Sequence, residues 1–363
     1  MSELRYPFAD VPAPGAALTV APGIKWVRMP LPMALDHINL YLLEEEDGWW
    51  IIDTGIGLDP TPELWRKVFA RELDGKPVKA VLCTHMHPDH VGQAGWLCEE
   101  WQAPLYMSQA EYLSAKVYSK MTVDDLSWTT ERYLRLAGMD DDYFENMKQN
   151  FHGFGSVCTP LPGAYRRLED SDHITIGGVR WRVIVGRGHS PEHVCLYSAA
   201  LNVLISGDQV IPRITSNVSV SGTEPEGNPL KQWMASHQKF LELLPADALV
   251  LPSHNTPFYG LHDRLRFLVQ HHEDHLLALE QACQTSRVAL DLLPVLFKRE
   301  LDGSQLGMAL GECIAHLNYL VWRGQLERTE DARGRHQYLS VDDTLSQRLR
   351  LAGHAPDDAP MEV

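Results

Sequence analysis

Thr84-His85-Met86-His87-Pro88-Asp89-His90 concentrates three histidines and an aspartate into the six residues from His85 to His90. Imidazole and carboxylate are the ligands that a borderline-soft divalent cation prefers. In the His-X-His pair, His85 and His87 lie on an extended or tightly turning segment and can reach one cation. Asp89 and His90 then point elsewhere and can hold a second. One short loop thus supplies half of each of two adjacent sites.

Three later segments repeat a theme, in which a β-prone run ends in a turn that carries a potential ligand. Val183 to Pro191 presents His189, Val203 to Asp208 presents Asp208, and Leu249 to His254 presents His254. Glycine or proline beside each lets the backbone turn sharply and aim the side chain. A carboxylate after a buried strand is costly unless it is paired or bound to a cation. Asp208 is therefore a candidate bridge between two metals about 4 Å apart, the separation used by two-metal hydrolases.

These loops need strands to deliver them. Ile24–Met29, Ile38–Leu43, Gly48–Ile52 and Val78–Cys83 are apolar and β-prone, and Val78–Cys83 runs straight into the histidine loop. Residues 1–20, rich in Pro and Ala, read as a tail. Pro60–Glu72 and Gly92–Trp101 have helical spacing, and Pro104–Met107 is another strand. Strands resume at Ile174–Ile176, Val179–Val185, Val194–Tyr197, Val203–Ser206 and Leu249–Leu251, with a helix over Asn228–Leu244. Strands alternating with helices predict sheets covered by helices. An insert at about 108–165 is mostly helical and rich in aromatic and Met side chains. Plain packing on the main body is its simplest reading, and a lid or a homodimer arm is the alternative. From residue 263 the chain is helical (Asp263–Cys283, Ser286–Arg299, Gln305–Arg323) and ends in a hairpin-like segment, Leu326–Val341. That order predicts a C-terminal, mainly helical, winged-helix-like domain over 263–363 after a catalytic domain over 1–262.

Composition excludes several classes. The chain has 363 residues, 44 % of them hydrophobic, and a net charge of −16. No apolar run approaches the roughly 18 residues of a membrane span, so no membrane partner is expected. The N-terminus has no signal-peptide pattern. Six cysteines without a Cys-X-X-Cys pair fit a reduced, cytoplasmic protein. The acidic balance disfavours nucleic acid, and residues 263–363 carry 11 Lys or Arg against 16 Asp or Glu. A cluster of arginines (Arg323, Arg328, Arg333, Arg335) keeps a small basic wing open. The other histidines (His152, His173, His237, His262, His271, His272, His275, His316, His336, His354) read as structural or surface residues. His271 and His275 share one helix face, expected to be solvated, without a third ligand in reach.

The set His85-X-His87-X-Asp89-His90, then His189, Asp208 and His254 in that order, resembles the ligand signature of the metallo-β-lactamase superfamily. Asp53-Thr54-Gly55 resembles the family's segment before the metal loop. The resemblance covers roughly residues 20–260, and 261–345 is similar to the winged-helix domain of its endoribonuclease-like branch. It implies an α+β fold, the αβ/βα sandwich, with the site at one edge of two sheets. It further implies that His85, His87 and His189 bind one metal, that Asp89, His90 and His254 bind the other, and that Asp208 bridges. His193 and Asp53 are expected to support these ligands by hydrogen bonds.

The expected function is a binuclear metal-dependent hydrolase in which a metal-activated hydroxide attacks a small ester, thioester or lactone. Asp89 would orient the water as well as bind metal. Zinc is the expected cation, with iron or manganese as alternatives. A glyoxalase II-like assignment fits the ligands but not the C-terminal segment. Three other readings stand beside it: a metal-dependent endoribonuclease or phosphodiesterase, a mononuclear iron persulfide dioxygenase, and a partner-binding module with structural metals.

Overall fold

The computed structural model describes residues 4–301, 303–345 and 348. The rest of the expected C-terminal segment, His354 included, lies outside the described residues. The first compact unit comprises residues up to Met121, His152–Ser216 and Lys239–Leu265. The second comprises Thr122–Phe151, Asn217–Gln238 and residues from Arg266 onward. The second unit is thus assembled from three stretches of the chain. It also takes in the middle of the insert, whose flanks belong to the first unit.

The first unit contains two sheets. The seven-stranded sheet runs in order β1 (Ala17–Ala21), β2 (Ile24–Pro30), β3 (His37–Glu45), β4 (Gly48–Ile52), β5 (Val78–Leu82), β6 (Leu105–Met107) and β7 (Arg166–Arg167). It is antiparallel through β4 and parallel from β4 to β7. The Ala-rich stretch read as a tail therefore ends in a strand, because Ala17–Ala21 pairs with the strongly β-prone Ile24–Val27 across a tight turn. The five-stranded sheet runs β12 (Leu249–Pro252), β11 (Val203–Gly207), β10 (His193–Ser198), β9 (Val179–Gly186) and β8 (His173–Ile176).

Strand periodicity explains the layers. Along β3 and β4, Leu40, Leu42, Trp49 and Ile51 face one way, into a core shared with α1 (Thr61–Glu72) and α3 (Ala94–Trp101). Tyr41, Leu43, Trp50 and Ile52 face the other way and meet Trp181, Val183, Val194, Leu196, Ile205 and Leu251 of the second sheet. Both faces of β4 are buried, which is why it reads as a continuous apolar run. The helix expected over Gly92–Trp101 forms as α3, beginning at Ala94, and a separate one-turn helix, α2 (Pro88–Val91), precedes it. Gly92 packs against the Gly55–Gly57 backbone so closely that a Cβ there would clash.

The insert holds α4 (Gln109–Tyr118), α5 (Trp128–Ala137) and α6 (Asp141–Gln149). In the second unit, Leu134, Met139 and Phe144 are buried, and the Tyr133 hydroxyl donates to the Val220 carbonyl at 2.9 Å. Of the insert's aromatic side chains Tyr112 and Phe144 are buried, most of the others are half-buried, and Trp128 is 68 % exposed. That unit also contains most of α7 (Pro229–Leu243) and α8 (Leu261–Ala282), then α9 (Ala289–Leu296), α10 (Gly303–Trp322) and the hairpin β13 (Leu326–Glu330)–β14 (His336–Ser340). The solvated face expected around His271 and His275 is corrected: His272 and His275 are buried. No described helix is long and apolar enough to cross a membrane.

Candidate metal centre

Each of the seven expected ligands sits where a strand ends. β5 leads into Thr84 and His85, and His87 then caps α2, which carries Asp89 and His90. His189 follows β9, while Asp208 and His254 follow β11 and β12. Those two strands are parallel neighbours, with Gly207 opposite Pro252, so Asp208 and His254 emerge side by side.

The atoms fall into two groups, each within 4.8 Å: His85, His87, His189 and Asp208 in one, and Asp89, His90 and His254 in the other. His85 Nε2 lies 2.8 Å from His87 Nδ1 and 3.2 Å from His189 Nε2. Three ring nitrogens thus converge on one point. Asp208 reaches both groups. Its Oδ2 is 3.4 Å from His189 Nε2 and 3.4 Å from His90 Nε2, and its Oδ1 is 3.3 Å from His254 Nε2. Asp89 Oδ2 stands 3.4 Å from both His90 Nε2 and His254 Nε2.

These separations test whether a cation fits. The carboxylate–imidazole separations of 3.3–3.4 Å are long for charge-assisted hydrogen bonds, which run near 2.8 Å. They match the spacing of about 3.3 Å between ligand atoms held tetrahedrally at roughly 2.0–2.1 Å from zinc. Consistently, His90 Nε2 and Asp208 Oδ1 are buried without a hydrogen-bond partner. A buried polar atom left so is destabilising, and a cation between the groups satisfies both.

The electrostatics run the same way. Burial, then the neighbouring imidazoles, pushes His85 well below the ordinary histidine range. Burial and His189 take His87 down to about 3. Both are neutral, the form that binds metal. Burial opposes a charge on His254 and His90 as well, but the carboxylates of Asp208 and Asp89 overcome it, raising His254 to about 10 and holding His90 well above its usual value.

The supporting residues are in place. Asp53 Oδ2 accepts from His90 Nδ1 at 2.8 Å, which leaves His90 Nε2 for a metal. Its other oxygen accepts the Thr84 backbone N–H at 2.7 Å. Asp53 has φ 59°, a left-handed conformation. His193 Nε2 accepts the backbone N–H of Asp208 at 3.0 Å. Cys83 is buried, its thiol pushed well above its usual range first by burial, as a packing residue should be.

Sequence reasoning missed three contributors. Glu111, fully buried on α4, accepts from Met86 N (2.9 Å), Ser190 Oγ (2.7 Å) and Glu192 N (2.6 Å). It ties the His85–His87 turn to the His189 turn. The His37 carbonyl accepts from His254 Nδ1 at 2.8 Å, fixing that ring's tautomer. Asn39 Nδ2 donates to the carbonyls of Pro252 and Asn255, both at 2.9 Å. Nothing in spacing marks Glu111, since a glutamate on an amphipathic helix reads as solvated.

The family model described as "Metallo-beta-lactamase superfamily" matches residues 34–254. The chain belongs to the metallo-β-lactamase superfamily. A second model, "Metallo-beta-lactamase-like, C-terminal domain", matches residues 276–341. The crystal structure of a β-lactamase domain protein from Burkholderia ambifaria is 41 % identical, with a TM-score of 0.87, over 93 % of this chain and 98 % of that one. The probable metallo-hydrolase YqgX of Bacillus subtilis is 26 % identical over 64 % of this chain and 90 % of its own. The acyl-coenzyme A thioesterase MBLAC2 of Gallus gallus is 26 % identical over 65 % of this chain and 79 % of its own. This superfamily member is a metal-dependent hydrolase with a His/Asp cluster for divalent metal.

Proposed function

We propose that the chain is a binuclear hydrolase of small acyl esters, with thioesters as the leading substrate class. The observation that carries the two-metal reading is the reach of Asp208, whose two oxygens lie 3.4 Å from His189 and 3.3 Å from His254 respectively. We assign His85, His87 and His189 to one cation, Asp89, His90 and His254 to the other, and Asp208 to both. Bound divalent cations would supply a water of lowered pKa and polarise the carbonyl oxygen of the acyl group whose carbon is attacked. Asp89, held ionised by His90 and His254 against the cost of burial, accepts a hydrogen bond from the attacking water and fixes its direction. Asp53 and His193 hold His90 and the Asp208 backbone in register.

Zinc suits this nitrogen-rich set, and iron or manganese remain its competitors. The thioester preference is supported by the name of the Gallus gallus relative. The net charge of −16 weighs against a nucleic-acid substrate. Six free cysteines support a cytoplasmic setting.

The test is a panel of acyl-CoA thioesters, lactones, phosphodiesters and a persulfide offered to the zinc- and iron-loaded full chain. Thioester cleavage that disappears on chelation and in His87→Ala is expected. Faster phosphodiester cleavage, or oxygen uptake with one iron per chain, would overturn the assignment.

A further inference from the structure

Away from the candidate centre, the second unit buries a separate group of donors. His272 on α8 and Glu312 and His316 on α10 each offer one ligand atom, all within 4.8 Å of one another. Glu312 and His316 are four residues apart, which puts them on one face of α10. All three are almost fully buried, Glu312 being 2 % exposed and both histidines 0 %.

We propose that His272, Glu312 and His316 form an additional binding site for a divalent cation of the zinc class, set inside the helical unit. Three observations support it independently of the binuclear reading. First, His272 Nδ1 lies 3.0 Å from His316 Nε2. The candidate centre shows the same approach of ring nitrogens at 2.8 and 3.2 Å. Second, His316 Nδ1 lies 2.8 Å from the Glu312 carbonyl. That carbonyl can only accept, so the proton sits on Nδ1 and the Nε2 lone pair points into the cluster. A ligating histidine is normally held this way, through its other nitrogen. Third, Glu312 Oε1 is buried with no hydrogen-bond partner, while Oε2 accepts from Asn217 Nδ2 at 3.0 Å. A chain of neutral hydrogen bonds from His272 through His316 leaves Oε1 without a partner, as it does His272 Nε2. A cation held by His272 Nδ1, His316 Nε2 and Glu312 Oε1 would satisfy the carboxylate oxygen and both facing ring nitrogens.

The donor set, two imidazoles and a carboxylate, is one that zinc accepts. His272 lies on α8 and Glu312 and His316 lie on α10, so a bound ion would cross-link the two helices. It would bind the folded unit and not the unfolded chain, and so raise thermal stability.

The experiment loads the full chain with excess zinc, removes loose metal, and combines metal analysis with anomalous diffraction at the zinc edge. The expected result is an anomalous peak between His272, Glu312 and His316, separate from the first centre, and one more equivalent than in Glu312→Gln. That variant keeps a side chain able to meet Asn217, and its retained helicity is checked by circular dichroism. Absence of that peak in the zinc-loaded wild type overturns the proposal, whatever the variant does. Loss of metal at the first centre alone would instead count against the binuclear reading, since the two positions are resolved separately.

Discussion

His193 Nε2 accepts the backbone N–H of Asp208 at 3.0 Å, and Gly207 lies between the two in the chain with its α-carbon against the His193 ring. A Cβ at Gly207 would strike that ring, and its φ of 52° is also one that side chains disfavour. A buried neutral imidazole thus sets the angle at which the bridging carboxylate leaves β11. His193→Ala is expected to weaken metal retention roughly 10- to 100-fold, the usual cost of losing such a support. Competition with a chromogenic chelator measures it. Partial recovery in His193→Gln, whose amide oxygen can accept, distinguishes this positioning role from plain packing.

Asp53 combines two duties that mutation can separate. Its carboxylate accepts from His90 Nδ1, and its backbone sits at φ 59°. Asparagine tolerates that conformation, whereas alanine there costs about 1–2 kcal/mol. Asp53→Asn should therefore keep its denaturation midpoint close to wild type while losing metal affinity. Asp53→Ala should lose both. Equal destabilisation of the two variants in urea titrations would contradict this account of the backbone.

Glu111 holds two metal-bearing turns through three donors, Met86 N, Ser190 Oγ and Glu192 N. Glu111→Ala leaves them buried and unsatisfied, at about 1–3 kcal/mol each when no water replaces the carboxylate. A loss of roughly 3 kcal/mol or more is expected by chemical denaturation, together with a fall in activity. A variant as stable as wild type would mean that the turns hold themselves.

The contrast between Glu111 and His85 explains what the sequence could reveal. The metal ligands were legible because each follows a β-prone run and a turn residue, so strand direction and side-chain chemistry point to the same place. β4 was legible because burial on both faces removes polar residues altogether. Glu111 carries no such mark. Its burial depends on turns at residues 86 and 190–192 that come together only in the fold. The same holds for His272 and His275. Their helix is amphipathic with charged neighbours, and only the packing of α8 within its own unit decides that these two histidines face inward. The tail that proved to be β1 failed for the opposite reason: Ala and Pro carry little β signal, and pairing to β2 supplies what propensity lacks.

His275 provides a pH test of that packing. Burial, then electrostatic repulsion from His271, His316 and Lys298, lowers its pKa from an ordinary 6.5 to about 2. Below pH 6.5 the unfolded chain takes up a proton that the folded chain refuses. Stability from this group is therefore present above pH 6.5 and is lost as pH falls toward 2. Between pH 7 and pH 5 the loss is about 2 kcal/mol, from about 1.4 kcal/mol per pH unit below the unfolded value. Replacing His275 by phenylalanine removes the titrating group while keeping an aromatic ring of similar volume. The difference in unfolding free energy between pH 7 and pH 5, from urea titrations, should then be smaller in His275→Phe than in wild type by about that amount, with groups distant from His275 cancelling in the comparison. An unchanged pH dependence would mean that His275 accepts its proton in the folded chain, and that the unit opens enough there to solvate it.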